Sequence, residues 1–416
     1  MARARGPWSS RRQRTIAFVV AGLGIAVISP SLGTQPNTPF AGPVTMLTSP
    51  APEGSAQPNV AADRAGQVWL SWLETRAAGG HKFQMASLQG TTFGKPITIA
   101  LGADLLANWA DFPSIFVTST GTFAAHWLQR GAGKPYGIQL RTSSDGGTTW
   151  TAPRAPHHDS AAGEFGFVSF YEAPGSGLGL IWLDGRAMAG GAAPGGGMAV
   201  RAASVDKGVS GDQVVVDPQV CECCQTSAAP TSDGVIVAYR DKSDANIRDI
   251  SVARLTGGRW SAPATVHADN WEINGCPVNG PVVTAIGEAV AVAWFTIAGG
   301  TPHVKVAFST DGGRRFGTPI QVDANVTLGR LGMVMPAADR VIVSSIERGP
   351  NGVELVVRDV QRDRGAGTPV AIAPSSADRS SGFARLALSG RRLVLAWTES
   401  VRGMAPRVKV ATAPLR

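Results

Sequence analysis

The chain repeats itself, and the repeat leaves few folds open. Seven short apolar runs return every 50 to 60 residues: Val68–Trp72, Phe123–Trp127, Leu178–Trp182, Val235–Tyr239, Val290–Trp294, Val341–Ser344 and Leu393–Trp397. Each is bounded by turn residues, and most end on Trp, which fits buried strands better than amphipathic helices. Around each run the unit has a preceding strand, a polar loop, a third strand, a Gly-rich turn and a short fourth strand that begins near a Pro. Four strands repeated seven times predict an all-β propeller of seven four-stranded blades. The third and sixth units are irregular, which leaves six blades as the alternative. The last unit, about 382–416, supplies three strands only, and Pro43–Leu47 near the start is expected to add the fourth and close the ring.

Composition agrees with this pattern. The 416 residues include 51 Gly and 28 Pro, are 44% hydrophobic and only 16% charged. Such a chain is rich in short strands and turns and too apolar for disorder. The formal charge of +8 is inflated by Arg3, Arg5, Arg11, Arg12 and Arg14, without which it falls to +3. No basic run or basic-aromatic stripe remains, so nucleic acid is not an expected partner.

Those arginines precede an apolar run from Ile16 to Ile28 that is broken by Pro30, Ser31 and Gly33. A basic start and a short apolar run, below the roughly 20 residues of a membrane span, read as an export signal. The expected organisation is a signal peptide or N-terminal anchor over 1–32, a linker over 33–42 and the propeller over 43–416. The protein is then periplasmic, attached to the cell envelope or secreted, and meets a membrane only through an uncleaved N-terminal segment.

Two turns carry a sharper signature. Ser143-Ser144-Asp145-Gly146-Gly147-Thr148-Thr149-Trp150 satisfies S-x-D-x-G-x-T-W throughout, and Ser309 to Phe316 satisfies it with Arg for Thr and Phe for Trp. Asp145 is placed to accept turn N–H groups, Gly147 to take a positive φ and Trp150 to pack between strands. This motif resembles the Asp box, and the chain resembles the sialidase-like superfamily of β-propellers. The resemblance implies that the boxes are folding elements between third and fourth strands, on the face away from the functional site.

Propellers present function on the loops that lead into the innermost strands and on the loops between second and third strands. Those loops hold Asn108 to Pro113, His157-His158-Asp159 with Glu164, Asp184-Gly185-Arg186, Asp217 to Gln225, Tyr239 to Asp244, and Trp271 to Pro277. Trp109, Asp111, Arg240, Asp241 and Asn274 are the expected ligand contacts. Trp109 and Trp271 line the channel mouth in one reading and pack between blades in the other. His126, in mid-strand, reads as a core residue.

All four cysteines fall in two neighbouring leading loops: Cys221, Cys223 and Cys224 in one, Cys276 in the other. Two readings compete. Oxidation in an exported protein would form disulfides between the two units. Alternatively, thiolates from Cys221, Cys223, Cys224 and Cys276 hold a soft metal, copper favoured over zinc. A bond between vicinal Cys223 and Cys224, or between Cys221 and Cys223, is strained, so a bond from one of the three to Cys276 is the easier one, and it leaves two thiols over. The spacing lacks the paired C-x-x-C knuckles of structural zinc.

The family resemblance also implies glycoside hydrolysis of exo-sialidase type, with an arginine clamp, a Tyr–Glu pair and an Asp acid. Arg186, Arg240, Arg330 and Arg385 are the conceivable clamp members. The chain departs from the pattern in its first unit, which opens on Gln57-Pro58-Asn59-Val60, and in having no Tyr after Tyr239. The leading expectation is therefore an exported propeller that binds a metal, copper or zinc, or another small ligand at a cysteine-marked central face. A sialidase and a protein-binding propeller of an envelope complex are the alternatives.

Overall fold

The computed structural model describes residues 38–131, 134–157, 163–173, 177–188 and 197–416. The N-terminal apolar segment, His158 and Asp159 lie outside the described residues. Seven antiparallel sheets follow one another along the chain as the blades of a propeller. The seven apolar runs are their second strands, from Val68–Thr75 in blade 1 to Arg392–Glu399 in blade 7. Each second strand has neighbours of its own sheet on both edges and another blade on each face. Every residue of Gly234–Arg240 is buried for that reason, and an unbroken apolar run is what such a strand needs.

The Trp residues that end these runs wedge between blades. Trp72, Trp182 and Trp294 are fully buried. The indole N–H of Trp182 reaches Asp184 Oδ2 at 2.9 Å, and that of Trp294 reaches Asp269 Oδ2 at 2.7 Å. Truncating such a side chain to Ala typically costs about 3–5 kcal/mol.

The fourth strand is the least regular. In blade 1 it is split into Thr92–Phe93 and Ile97–Gly102, which pair with the same third strand, His81–Gln89. The ring closes as the sequence predicts: Thr45–Leu47 pairs with Arg407–Pro414, matching Thr45 to Thr412 and Leu47 to Val410. Phe40 extends the closure by bridging Leu415, and its ring is buried.

Both motif turns take one shape. The Ser143 hydroxyl donates to Asp145 Oδ1 at 2.8 Å while the N–H of Thr149 donates to the same carboxylate at 2.9 Å. Ser309, Asp311 and Arg315 repeat this at 2.7 and 3.0 Å. Gly147 and Gly313 take φ of 86° and 79°, a region that a side chain resists. His126 is buried in its strand, as expected, and stacks edge-on to Phe170.

Candidate functional site: a cysteine cluster beside the central channel

The cysteine-bearing loop begins where the last strand of blade 3, Val214–Val220, ends. Val220 bridges Asp241, and Cys221 N–H donates to Arg240 O at 3.0 Å, which fixes the loop against blade 4. Cys276 arrives on the segment that leads into blade 5. The structure joins Cys223 to Cys276 as a disulfide across 53 residues and leaves Cys221 and Cys224 free and buried. This is the cross-loop bond with two thiols left over. The four sulfurs therefore divide into a surface pair and an inner pair, with Cys276 exposed and Cys223 half-buried.

The inner pair is close: Cys221 Sγ lies 3.2 Å from Cys224 Sγ and 4.0 Å from Cys223 Sγ. Arg248 Nη1 donates to Cys221 Sγ at 3.2 Å and to Glu222 Oε2 at 2.7 Å, and Lys242 donates to the other oxygen of Glu222. The S–H of Cys224 hydrogen-bonds to Cys221 and, with the Cys223 amide, Arg240 and Arg248, outweighs burial and brings the Cys221 thiol down to about 6. Burial and the neighbouring thiolate push Cys224 well up. The pair thus holds one thiolate and one thiol at neutral pH. As ligands, Cys221 and Cys224 are two adjacent sulfur donors beside the Arg248 guanidinium. That set suits a soft ion of low coordination number and lacks the four ligands of structural zinc.

Arg240 is turned inward. Its guanidinium donates to the carbonyls of Asn279 at 2.9 Å, Arg248 at 2.6 Å and Phe295 at 2.6 Å, and lies 4.9 Å over the Trp271 ring. At 2% exposed, with its donors spent on carbonyls, it braces the loops instead of offering a ligand contact. Trp271 is likewise packing between blades. Asp241 accepts from Ser251 Oγ at 2.7 Å, and Asn274 is exposed near Cys276. Neither reaches Trp109 or Asp111 by a contact among the described residues.

Asp111 marks a separate place. A central channel of about 420 Å³ is lined by Asn59, Asp111, Ser169, Gln225, Thr226 and Arg385, among others. Asp111 Oδ1 accepts from Phe167 N–H at 2.8 Å, whereas Oδ2 has no hydrogen-bond partner among the described residues. Burial raises its carboxyl to about 7. Trp109 does not line this channel: it stacks on Phe383 at 5.9 Å and faces a neighbouring pocket that shares Phe112 and Phe383 with it. Gln225 connects the two places: its amide donates to Ala110 O at 2.6 Å and accepts from Gly280 N–H at 2.9 Å. Sequence reasoning missed Arg248 and Asn279, neither of which carries any pattern, and placed Gln225 only at the end of a loop.

Neither a protein-family model nor a curated protein matches the chain. Solved structures do match. An ulvan lyase of a polysaccharide lyase family has a TM-score of 0.54 at 11% identity, covering 87% of this chain and 95% of its own. A protein of unknown function from Dyadobacter fermentans gives 0.52 at 14%, covering 92% and 100%. The endosialidase of phage phi92 gives 0.51 at 10%, covering 91% and 70%. The likeness is one of fold.

The residues that a sialidase would need are only partly assembled. Arg186 is engaged by Asp184 at 2.6 Å, and Arg330 donates to the carbonyls of Ala377 and Asp378 at 2.9 and 2.8 Å. The Arg385 side chain makes no hydrogen bond or ion pair among the described residues. Its guanidinium lies 5.0 Å over Phe112, and burial lowers it to about 10. Tyr239 donates to Asp217 Oδ2 at 2.9 Å in the interior, and Tyr171 packs on Trp260. Tyr136 alone meets a glutamate, Glu164, at 3.4 Å. Burial, then Asp111 and Glu164, raise that phenol. His157 stacks on Phe165 at 3.9 Å, as a packed residue does.

Proposed function

We propose that this chain is an exported β-propeller that binds a soft, low-coordinate metal ion, copper(I) in preference to zinc, through Cys221 and Cys224. The observation that carries the reading is the pair of free, buried sulfurs 3.2 Å apart under the Arg248 guanidinium. Thiolates select soft ions, and among the described residues the ligand cluster is sulfur only, the nearby Glu222 carboxylate being engaged by Arg248 and Lys242, which favours copper(I) over zinc. Burial supports an ion over a protein thiol as the visitor, since Cys221 and Cys224 are 1% and 2% exposed. A disulfide beside the pair is in keeping with an oxidising, extracytoplasmic compartment.

The test is an anaerobic copper(I) titration of the full chain against a chromophoric chelator. The expected result is one equivalent held tightly, lost in Cys221→Ser and in Cys224→Ser, with no comparable retention of zinc. Copper retained equally by both variants would sink the assignment.

One observation favours a second reading, glycoside hydrolysis. Tyr136 donates to Glu164 at 3.4 Å, and the buried carboxyl of Asp111, which lines the central channel, acts on the same phenol. Turnover of a fluorogenic sialoside that disappears in Glu164→Gln would support it, and no turnover by the wild type would dispose of it.

A further inference from the structure

We propose that the Cys223–Cys276 disulfide sets how many sulfurs the site offers a metal: two while the bond is intact, three once it is reduced. The proposal rests on the reading of Cys221 and Cys224 as a soft-metal pair, and names the control on that pair.

The geometry comes first. The sulfurs of Cys221, Cys223 and Cys224 all lie within 4.8 Å of one another. A planar three-sulfur site with bonds of about 2.3 Å places its sulfurs about 4.0 Å apart. Cys221 and Cys223 already stand at 4.0 Å. Cys223 is withheld only because its sulfur is bonded to Cys276, and a metal takes a thiolate, not a disulfide sulfur.

Access is divided in the way a switch needs. Cys276 is exposed, on a segment where a side chain added at the neighbouring Gly275 would meet no atom within 4 Å. A reductant therefore reaches the outer bond while Cys221 and Cys224 stay covered. Reduction adds two electrons and two protons across the bond and gives two thiols. A dithiol donor supplies both and closes to its own disulfide. A metal arriving at Cys223 then displaces its proton.

The two freed cysteines part company. Cys223 stays because it sits between Cys221 and Cys224 in the chain. Cys276 leaves, since among the described residues the disulfide alone ties its sulfur to the cluster. The segment carrying it does not unravel. Trp271 O accepts from Arg248 N–H at 2.9 Å, Asn279 O from Arg240, and Gly280 N–H donates to Gln225, none of which involves the disulfide. Cutting the bond thus changes the donor set and leaves the blades docked.

The experiment counts sulfurs. Full-length protein is loaded anaerobically with copper(I) in two states, disulfide intact and pre-reduced with the reductant removed, and examined by copper-edge X-ray absorption and chelator competition. The expected sulfur number is two in the first state and three in the second, with copper held at least about tenfold more tightly after reduction. Cys276→Ser is expected to give three in both states, and Cys223→Ser two in both. Equal sulfur number and affinity in the two wild-type states, with Cys221→Ser unable to bind, overturns the control while leaving the inner pair standing. Copper retained by no form, or retained in Cys221→Ser while the disulfide is intact, overturns the metal reading and the control together.

Discussion

A single nitrogen, Nη1 of Arg248, lies 3.2 Å from Cys221 Sγ and 2.7 Å from Glu222 Oε2. Because the guanidinium is shared with a carboxylate, it is only one contributor to the low Cys221 pKa of about 6, and the Cys224 thiol is the largest. Cys224→Ala is therefore expected to raise the Cys221 midpoint more than Arg248→Gln does. The arginine variant should shift it by about one pH unit or less, given that one unit is about 1.4 kcal/mol. Ultraviolet thiolate absorbance against pH, in metal-free protein, measures both. The reverse order would mean that Arg248 dominates and the thiol pair is not coupled.

The architecture was legible because its physics is local. A strand covered on both faces must be apolar throughout, so the second strands stood out, and the Asp145 and Asp311 turns satisfy their carboxylates within five residues. The cysteine cluster was visible as spacing, and the strain of bonding Cys223 to Cys224 or to Cys221 pointed to a bond with Cys276. The partners of the cluster were not legible. Arg248 meets Cys221 across 27 residues, and Gln225 meets Ala110 across 115. A loop arginine or glutamine gives no sign of which distant backbone it will face. Arg240 misled for the same reason: it ends a strand beside a polar loop, yet its carbonyl partners on blade 5 draw it inward.

Asp111 is held at about 7 against an ordinary 3.8 because it is buried. Its folded pKa exceeds its unfolded one, so the folded state binds the extra proton between those values. The contribution of Asp111 to stability is fully present below about 3.8 and is lost as pH rises through 7, by up to roughly 4 kcal/mol. Asp111→Asn keeps the acceptor for Phe167 N–H and removes the charge. The variant should match the wild type in urea melts near pH 4 and exceed it at pH 8. Parallel curves for the two proteins would show that channel water solvates the carboxylate.

His126 acts in the opposite sense. Burial lowers it to about 3 from 6.5, and neither ring nitrogen has a hydrogen-bond partner among the described residues. The imidazole is buried neutral, so its contribution is complete above 6.5 and is lost as pH falls towards 3. That range corresponds to roughly 4–5 kcal/mol. Between 3.8 and 6.5 the Asp111 and His126 effects oppose each other, which hides both in the wild type. His126→Leu, which keeps an apolar group against Phe170, should flatten the acid limb below pH 6.5. An acid limb as steep as the wild type's would place the proton uptake elsewhere.

The motif turns also join blades. A Cβ added at Gly313, where φ is 79°, would lie 2.2 Å from Ile236 Cδ1 in the second strand of blade 4, and one added at Gly147 would lie 2.0 Å from Met85 Cε in blade 1. Gly313→Ala therefore combines a left-handed backbone, about 1–2 kcal/mol, with overpacking, about 1–3 kcal/mol. Ile236→Val removes the atom that clashes and alone costs about 0.5–1.5 kcal/mol. If the turn is a blade-to-blade contact, the double variant is more stable than the sum of the single changes predicts, by about 1–2 kcal/mol. The backbone part of the Gly313→Ala cost should persist. Strict additivity in chemical denaturation would show that the glycine is needed for its φ alone, and that blades 4 and 5 meet without it.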